Sequence, residues 1–316
     1  MFAMRGMAVA FSVFVIVYCA LSFAVCLGWK RFSRHAQKSP ARRAADLLFA
    51  FRMLPLAASL AVTALFTVPS FLLLEPRSID EPVGGITLAL SLCGALLVLV
   101  GAVHTLAAAW KSSRTVAGWS GGAERVESSV PVPVLRIARK LPAMTAAGIF
   151  RPRVLLSGAA EFVLTVNELH CALRHEMAHV QRRDNLRKLL LRCVAFPGMA
   201  GLETAWLEAT EMSADDAAVS NAGEALDLAA ALIKVSRLGP PESHAELTAA
   251  LVHSRASVMN VRVKRLIAWN ESRLVAASGY SLWYGLGAAI AVAAAFSVTY
   301  SQLLLRVHTA TEWLVR

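Results

Sequence analysis

Charge is scarce in this sequence. Only 17% of the 316 residues are Asp, Glu, Lys or Arg, 57% are hydrophobic, and the mean hydropathy is +0.55, a balance that excludes an ordinary soluble protein. Acidic residues are scarcer than basic ones, 21 against 32. The resulting net charge of +11 comes without a helix-turn-helix or an aromatic-basic pattern, so no direct nucleic-acid partner is implied. Basic residues beside a bilayer meet anionic headgroups instead. Cysteine is limited to five, an odd number. Cys19, Cys26 and Cys93 fall in apolar runs, while Cys171 and Cys193 fall in a segment expected in the cytoplasm, where thiols stay reduced. No A-x-A site closes the first apolar run, and cleavage there would export a basic loop, which argues for a membrane span over a signal peptide.

What is abundant is uncharged, apolar length. Four runs can cross about 30 Å of hydrocarbon at 1.5 Å per residue: Met7 to Trp29, Met53 to Leu74, Val83 to Trp110, and Leu274 to Leu305. The connection from Lys30 to Arg52 carries Lys30, Arg31, Arg34, Lys38, Arg42, Arg43 and Arg52 against Asp46 alone, which places it on the cytoplasmic side. The one from Glu75 to Pro82 has Arg77 against Glu75, Asp80 and Glu81 and faces outward. The expectation is therefore a multi-pass membrane protein with its N-terminus outside. Its regions are a three-span membrane part (1–110, helices at about 7–29, 53–74 and 83–110), a cytoplasmic α+β domain (111–273), and a fourth helix (about 279–305) with a short outer tail, in 274–316.

Within the cytoplasmic segment, residues 111–129 are rich in Ser, Gly and charge and read as a linker. Val130–Ile137 and Arg153–Ser157 look like strands, with 144–150 a weaker one, and a small antiparallel sheet of these would offer an edge to an extended peptide. Thr165-Val166-Asn167-Glu168 is a capping box that starts a helix, and no Gly or Pro follows until Pro197-Gly198. On that helix stand His175-Glu176-Met177-Ala178-His179. A spacing of four puts both imidazoles on one face, where they can hold one Zn²⁺, and Glu176 is placed to take a proton from water at the metal. By chance, such an H-E-x-x-H is expected roughly 0.01 times in this composition, so an amphipathic helix with two coincidentally spaced histidines is the weaker reading. Cys171, one turn before His175, shares the face, but a catalytic zinc keeps a position open, and the residue reads as a small buried thiol.

A third ligand is sought on the helix after Pro197-Gly198. Glu211 and Asp215 are four apart, which suits a carboxylate ligand with a second carboxylate behind it to hold a ligand histidine in its tautomer. Glu208 and Asp216 are rival ligands. Further helices are expected at about 224–237, 242–254 and 258–270.

These pieces together carry a resemblance. The stretch Leu141 to Ser157, Glu168-Leu169, His175 to Asn185 with its Arg182-Arg183-Asp184-Asn185, and Glu211-Met-Ser-Ala-Asp215 resembles the M56 family of membrane metallopeptidases, the BlaR/MecR antibiotic-sensor type, over about residues 130 to 220. The resemblance implies a gluzincin-type domain inserted between the third and fourth spans, zinc, and hydrolysis of peptide bonds in a cytoplasmic transcriptional repressor and in the chain itself. Sensors of that type carry an extracellular penicillin-binding domain after the fourth span, whereas Arg306 to Arg316 is all that follows here, so β-lactam binding of that kind is not expected. A second oxyanion donor is usually wanted. The four tyrosines, Tyr18, Tyr280, Tyr284 and Tyr300, lie in or beside apolar runs, which leaves His253 or Arg262 by analogy with a downstream His and Arg of related membrane proteases. An M48-type quality-control protease and a non-cutting membrane scaffold are the competing expectations.

Overall fold

The computed structural model describes residues 2–76, 82–126, 131–137, 143–193, 196–238, 249–250, 256–269 and 299–312. It divides into two compact units: Met1–Trp29, Ala50–Gly101 and Ser278–Arg316 form the first, and Lys30–Phe49 with Ala102–Ala277 form the second.

Three helical runs among the described residues are long and apolar enough to cross a membrane, which marks a membrane protein: Phe2–Ala36, Ala41–Leu74 and Gly85–Ser120. The first is α1 and the third α4. The second consists of α2 (Ala41–Val62), a π-helical turn (Thr63–Thr67) and α3 (Val68–Leu74). Each is longer than the apolar run that announces it, because charged and polar residues extend the helix at its ends. The π turn has a sequence cause. Pro69 has no N–H to give Leu65, four residues back, and the Leu65 carbonyl accepts the Tyr300 hydroxyl at 2.7 Å instead. Ser70 likewise donates to the Leu304 carbonyl at 3.1 Å, tying the helical residues 299–312 to α3. α1 and α4 approach closely at Gly94, where a Cβ would stand 2.5 Å from the Phe11 carbonyl oxygen. Of the expected fourth span, the larger part lies outside the described residues.

The second unit is built on a five-stranded sheet. Its strands are β1 (Glu124–Val126), β2 (Val134–Ile137), β3 (Met144–Ala147), β4 (Arg153–Ser157) and β5 (Ala249–Ala250), in the order β1-β2-β4-β3-β5. The sheet is mixed rather than antiparallel, because β2 and β4 run parallel while the other pairs are antiparallel. Val154 and Leu156 of β4 face one core with Val134 and Met144, and Leu155 faces another with Ile137, Val116 and Trp119, so the strand is apolar on both sides. That second core corrects the expected linker at 111–129. Val116 and Trp119 carry α4 onto the sheet as far as Ser120, and Gly122, at φ +75°, turns the chain into β1.

Against the other sheet face lie α5 (Gly158–Val163), α6 (Val166–Gln181), α7 (Asp184–Leu191), α8 (Ala200–Ala218), α9 (Ala222–Ser236) and α10 (Ala256–Ile267). The capping box is formed as expected: Thr165 Oγ1 accepts from the Glu168 amide and Glu168 accepts from the Thr165 amide. The helix nevertheless ends at Gln181, well before Pro197, because Arg183 takes a left-handed conformation and a new helix begins at Asp184. α9 and α10 correspond to the helices expected at 224–237 and 258–270. Of the helix expected at 242–254, residues 249–250 are strand instead, and the others lie outside the described residues.

Candidate metal centre

α6 delivers His175 and His179 from one buried face, one turn apart, and α8 crosses it with Glu211 and Asp215 on the facing side. The two Nε2 atoms are 3.2 Å apart, and each is 3.7 Å from an oxygen of Glu211. Tetrahedral zinc with bonds of about 2.0–2.1 Å puts its donor atoms roughly 3.3 Å from one another, so these three side chains can hold one ion with little movement. Glu208 and Asp216 do not join them. Glu208 lines a cleft with Lys38 and Lys264, and Asp216 pairs with Arg265 at 2.5 Å. Cys171 is buried in the apolar core, as its reading as a thiol requires.

Behind each histidine stands a carboxylate. Asp215 Oδ1 is 3.0 Å from His175 Nδ1, and Asp184 Oδ2 is 2.8 Å from His179 Nδ1. A carboxylate can only accept, so Asp184 holds a proton on His179 Nδ1, while Asp215 lies at ion-pair distance from His175 Nδ1; in both rings Nε2 is the nitrogen turned toward Glu211. Asp215 is the residue the E-x-x-x-D spacing pointed to. Asp184 had been quoted only as part of a motif. Its role depends on the chain reversal at Arg183, which brings the start of α7 back over His179.

Arg262, on α10, is fully buried and its bonds run to the carboxylates. Nε and Nη2 give 2.8 and 2.7 Å bonds to the two oxygens of Asp215, and Nη1 lies 2.9 Å from Glu211 Oε2. His253, the other oxyanion candidate, lies outside the described residues. Glu176 is buried beside the histidines, with Oε2 accepting the Ala146 amide at 2.6 Å while Oε1 has no hydrogen-bond partner. Glu176 feels the charges of His175, His179 and Glu211, and a water bound among them would satisfy the orphaned carboxylate oxygen. Asn185 donates to the Ala146 and Gly148 carbonyls at 3.0 and 3.2 Å, fixing β3 and its loop to α7.

The electrostatics fit a divalent cation. Four buried carboxylates, Glu176, Asp184, Glu211 and Asp215, surround the histidines, and the fully buried cation among them is Arg262. Burial opposes the charged form of His175, but Asp215 and Glu211 outweigh it and lift its pKa to about 9 in the metal-free site. Burial also acts against the ionised forms of Glu211 and Asp215, yet Arg262 and the histidines hold both carboxyls well below their usual range. Burial raises the pKa of Glu176, as suits a group that takes and returns a proton. Lys188, one turn beyond Asp184, escaped the sequence reading. Burial lowers its pKa against the pull of Glu211, Asp184 and Glu176.

No protein-family model matches the chain, and no curated protein does. What the site is therefore rests on its own geometry.

Proposed function

We propose that this chain is a membrane-embedded zinc endopeptidase, similar to the M56 metallopeptidases. In this reading it has four spans, with the α+β gluzincin-type domain between the third and fourth on the cytoplasmic side of a bacterial inner membrane. The observation that carries the reading is the convergence of His175, His179 and Glu211 within 3.2–3.7 Å, with the half-satisfied carboxylate of Glu176 beside them. A structural zinc site would need four protein ligands and no base. Among the described residues this one offers three and a base.

When bound, zinc supplies Lewis acidity toward water and the scissile carbonyl. The protein residues do the rest. His179 presents Nε2 because Asp184 holds its Nδ1 proton, and the Asp215 carboxylate 3.0 Å from His175 Nδ1 favours a proton on that nitrogen too. Arg262 keeps Glu211 and Asp215 ionised and in place. Glu176, anchored through Oε2, uses Oε1 to accept the proton of the attacking water and then delivers it to the leaving amine. A substrate strand would lie along β3, whose Ala146 amide already meets Glu176. In this chain Ala249 and Ala250 pair there, opposite Ala146 and Thr145, which supports cleavage of the chain itself alongside a cytoplasmic repressor.

The test is co-expression of wild type and Glu176→Ala with candidate cytoplasmic repressors, with metal analysis of the purified proteins. Cleavage by the wild type alone, with zinc present in both, is the expected result. Equal processing by the two would remove Glu176 as the base.

A further inference from the structure

A cavity of about 210 Å³ opens beside the metal ligands, with His179 in its wall. It is smaller than the roughly 300–1,000 Å³ of small-molecule sites and has the size of a single amino-acid side chain. Ile149, Phe150, Pro152 and Leu186 line its apolar side, His179, Asp184 and Asn185 its polar side, and Phe150 is 81% exposed. A large aromatic ring left in water beside a cavity is stabilised when an apolar group covers it.

Arg183 also lines it. Its φ of +53° is the sole positive value at a non-glycine among the described residues. The conformation itself has a structural purpose, since it ends α6 and returns Asp184 to His179. That purpose does not explain the side chain. Glycine or asparagine takes this helix-ending conformation at lower cost than arginine. The neighbouring cations are engaged: Arg182 meets Asp46 and Ser213, Arg187 meets Asp46, and Arg262 meets Asp215. Arg183 makes no side-chain bond among the described residues. A guanidinium held at a backbone disadvantage, without a bond among the described residues, beside a cavity with one apolar side next to the candidate metal ligands suits a ligand that has both an apolar group and an anion.

We propose that this cavity is a substrate subsite for a bulky apolar side chain flanked by Asp or Glu, with Arg183 selecting the acid. The inference rests on the endopeptidase reading for its substrate class, a polypeptide, and names which polypeptides the site prefers. Apolar burial in the hole supplies the attraction, and a charge-assisted pair at its rim supplies the selection.

The experiment uses the full chain, zinc-loaded in detergent, and fluorescent ten-residue peptides with one Phe flanked by Glu, Gln or Lys. Binding is measured on Glu176→Ala, so that peptides survive, and cleavage on the wild type. Glu-flanked peptides are expected to bind about tenfold tighter than Gln-flanked ones, and exchanging their Phe for Ala should weaken binding. Adding Arg183→Gly should erase the acidic preference while leaving the melting temperature unchanged or higher, because glycine fits that backbone. Equal binding of Glu and Gln peptides, a preference that survives Arg183→Gly, or no binding of any peptide would overturn the subsite. Cleavage without acidic preference overturns the subsite and leaves the endopeptidase reading standing. Arg183-dependent binding without any cleavage by the wild type does the reverse.

Discussion

Asp184 Oδ2 lies 2.8 Å from His179 Nδ1, although a helical residue five positions on would point away from it. The left-handed Arg183 makes the contact by ending one helix and starting the next. With Asp215 beside His175, the two Nε2 atoms that would face a metal are oriented by carboxylates from different helices. Asp184→Asn keeps the size but can present an N–H to Nδ1, favouring the wrong tautomer. Zinc affinity should fall by roughly 10 to 100-fold, as it should for Asp215→Asn. Competition with a zinc chelator measures this, and wild-type affinity in Asp184→Asn would remove the residue from the centre.

Glu211 is the carboxylate that reaches both histidines, at 3.7 Å each, and Glu208, one turn earlier, lines a different cleft. Glu211→Ala should therefore strip zinc from the purified protein and abolish any peptidase activity. Glu208→Ala should leave the metal content unchanged. Zinc lost from Glu208→Ala but retained by Glu211→Ala would move the ligand along α8.

Much of this centre was legible because it is written in helical spacing. The capping box set the start of α6, a gap of four paired His175 with His179 and Glu211 with Asp215, and both pairs emerge on facing helices. What was illegible depends on tertiary packing. No Gly or Pro marks the break at Arg183, so Asp184 could not be placed, and Arg262 reaches Asp215 from 47 residues away. The helical stretch to Ser120 is held by burial of Val116 and Trp119 against the sheet, which overrides local Ser and Gly content. Parallel pairing of β2 and β4 followed from β3 lying on the far side of β4, an arrangement that strand patterns alone do not encode.

Protonation of His175 competes with zinc. Its pKa in the metal-free fold, about 9, lies above the ordinary 6.5. A pKa raised on folding contributes stability that is fully present below about 6.5 and is lost as pH rises through about 9. The chelator-treated protein should thus melt at progressively lower temperature between pH 6.5 and 9. Zinc binding at pH 7 should release about one proton from His175, measurable by calorimetry in buffers of different ionisation enthalpy. A metal-free melting temperature that rises across that window would contradict the assigned protonation.

Arg262 and Arg136 both make paired bonds to a carboxylate, and their surroundings should separate their effects. Arg136 holds Glu161 through bonds of 2.6 and 2.7 Å, but its side chain is 43% exposed, and water screens such a pair so that its loss should barely move stability. Arg262 is fully buried, and removing it leaves two buried carboxylates, Asp215 and Glu211, sharing the single positive charge of His175. Arg262→Ala should cost about 3–5 kcal/mol in denaturant unfolding of the chelator-treated protein. Arg262→Lys should recover little of this, because an ammonium offers a point charge where two oxygens of Asp215 and one of Glu211 await a planar fork. Zinc should partly rescue both variants, since the ion brings positive charge back to Glu211. If Arg262→Ala costs no more than Arg136→Ala, or if lysine restores full stability, the guanidinium is not what holds these two carboxylates in place.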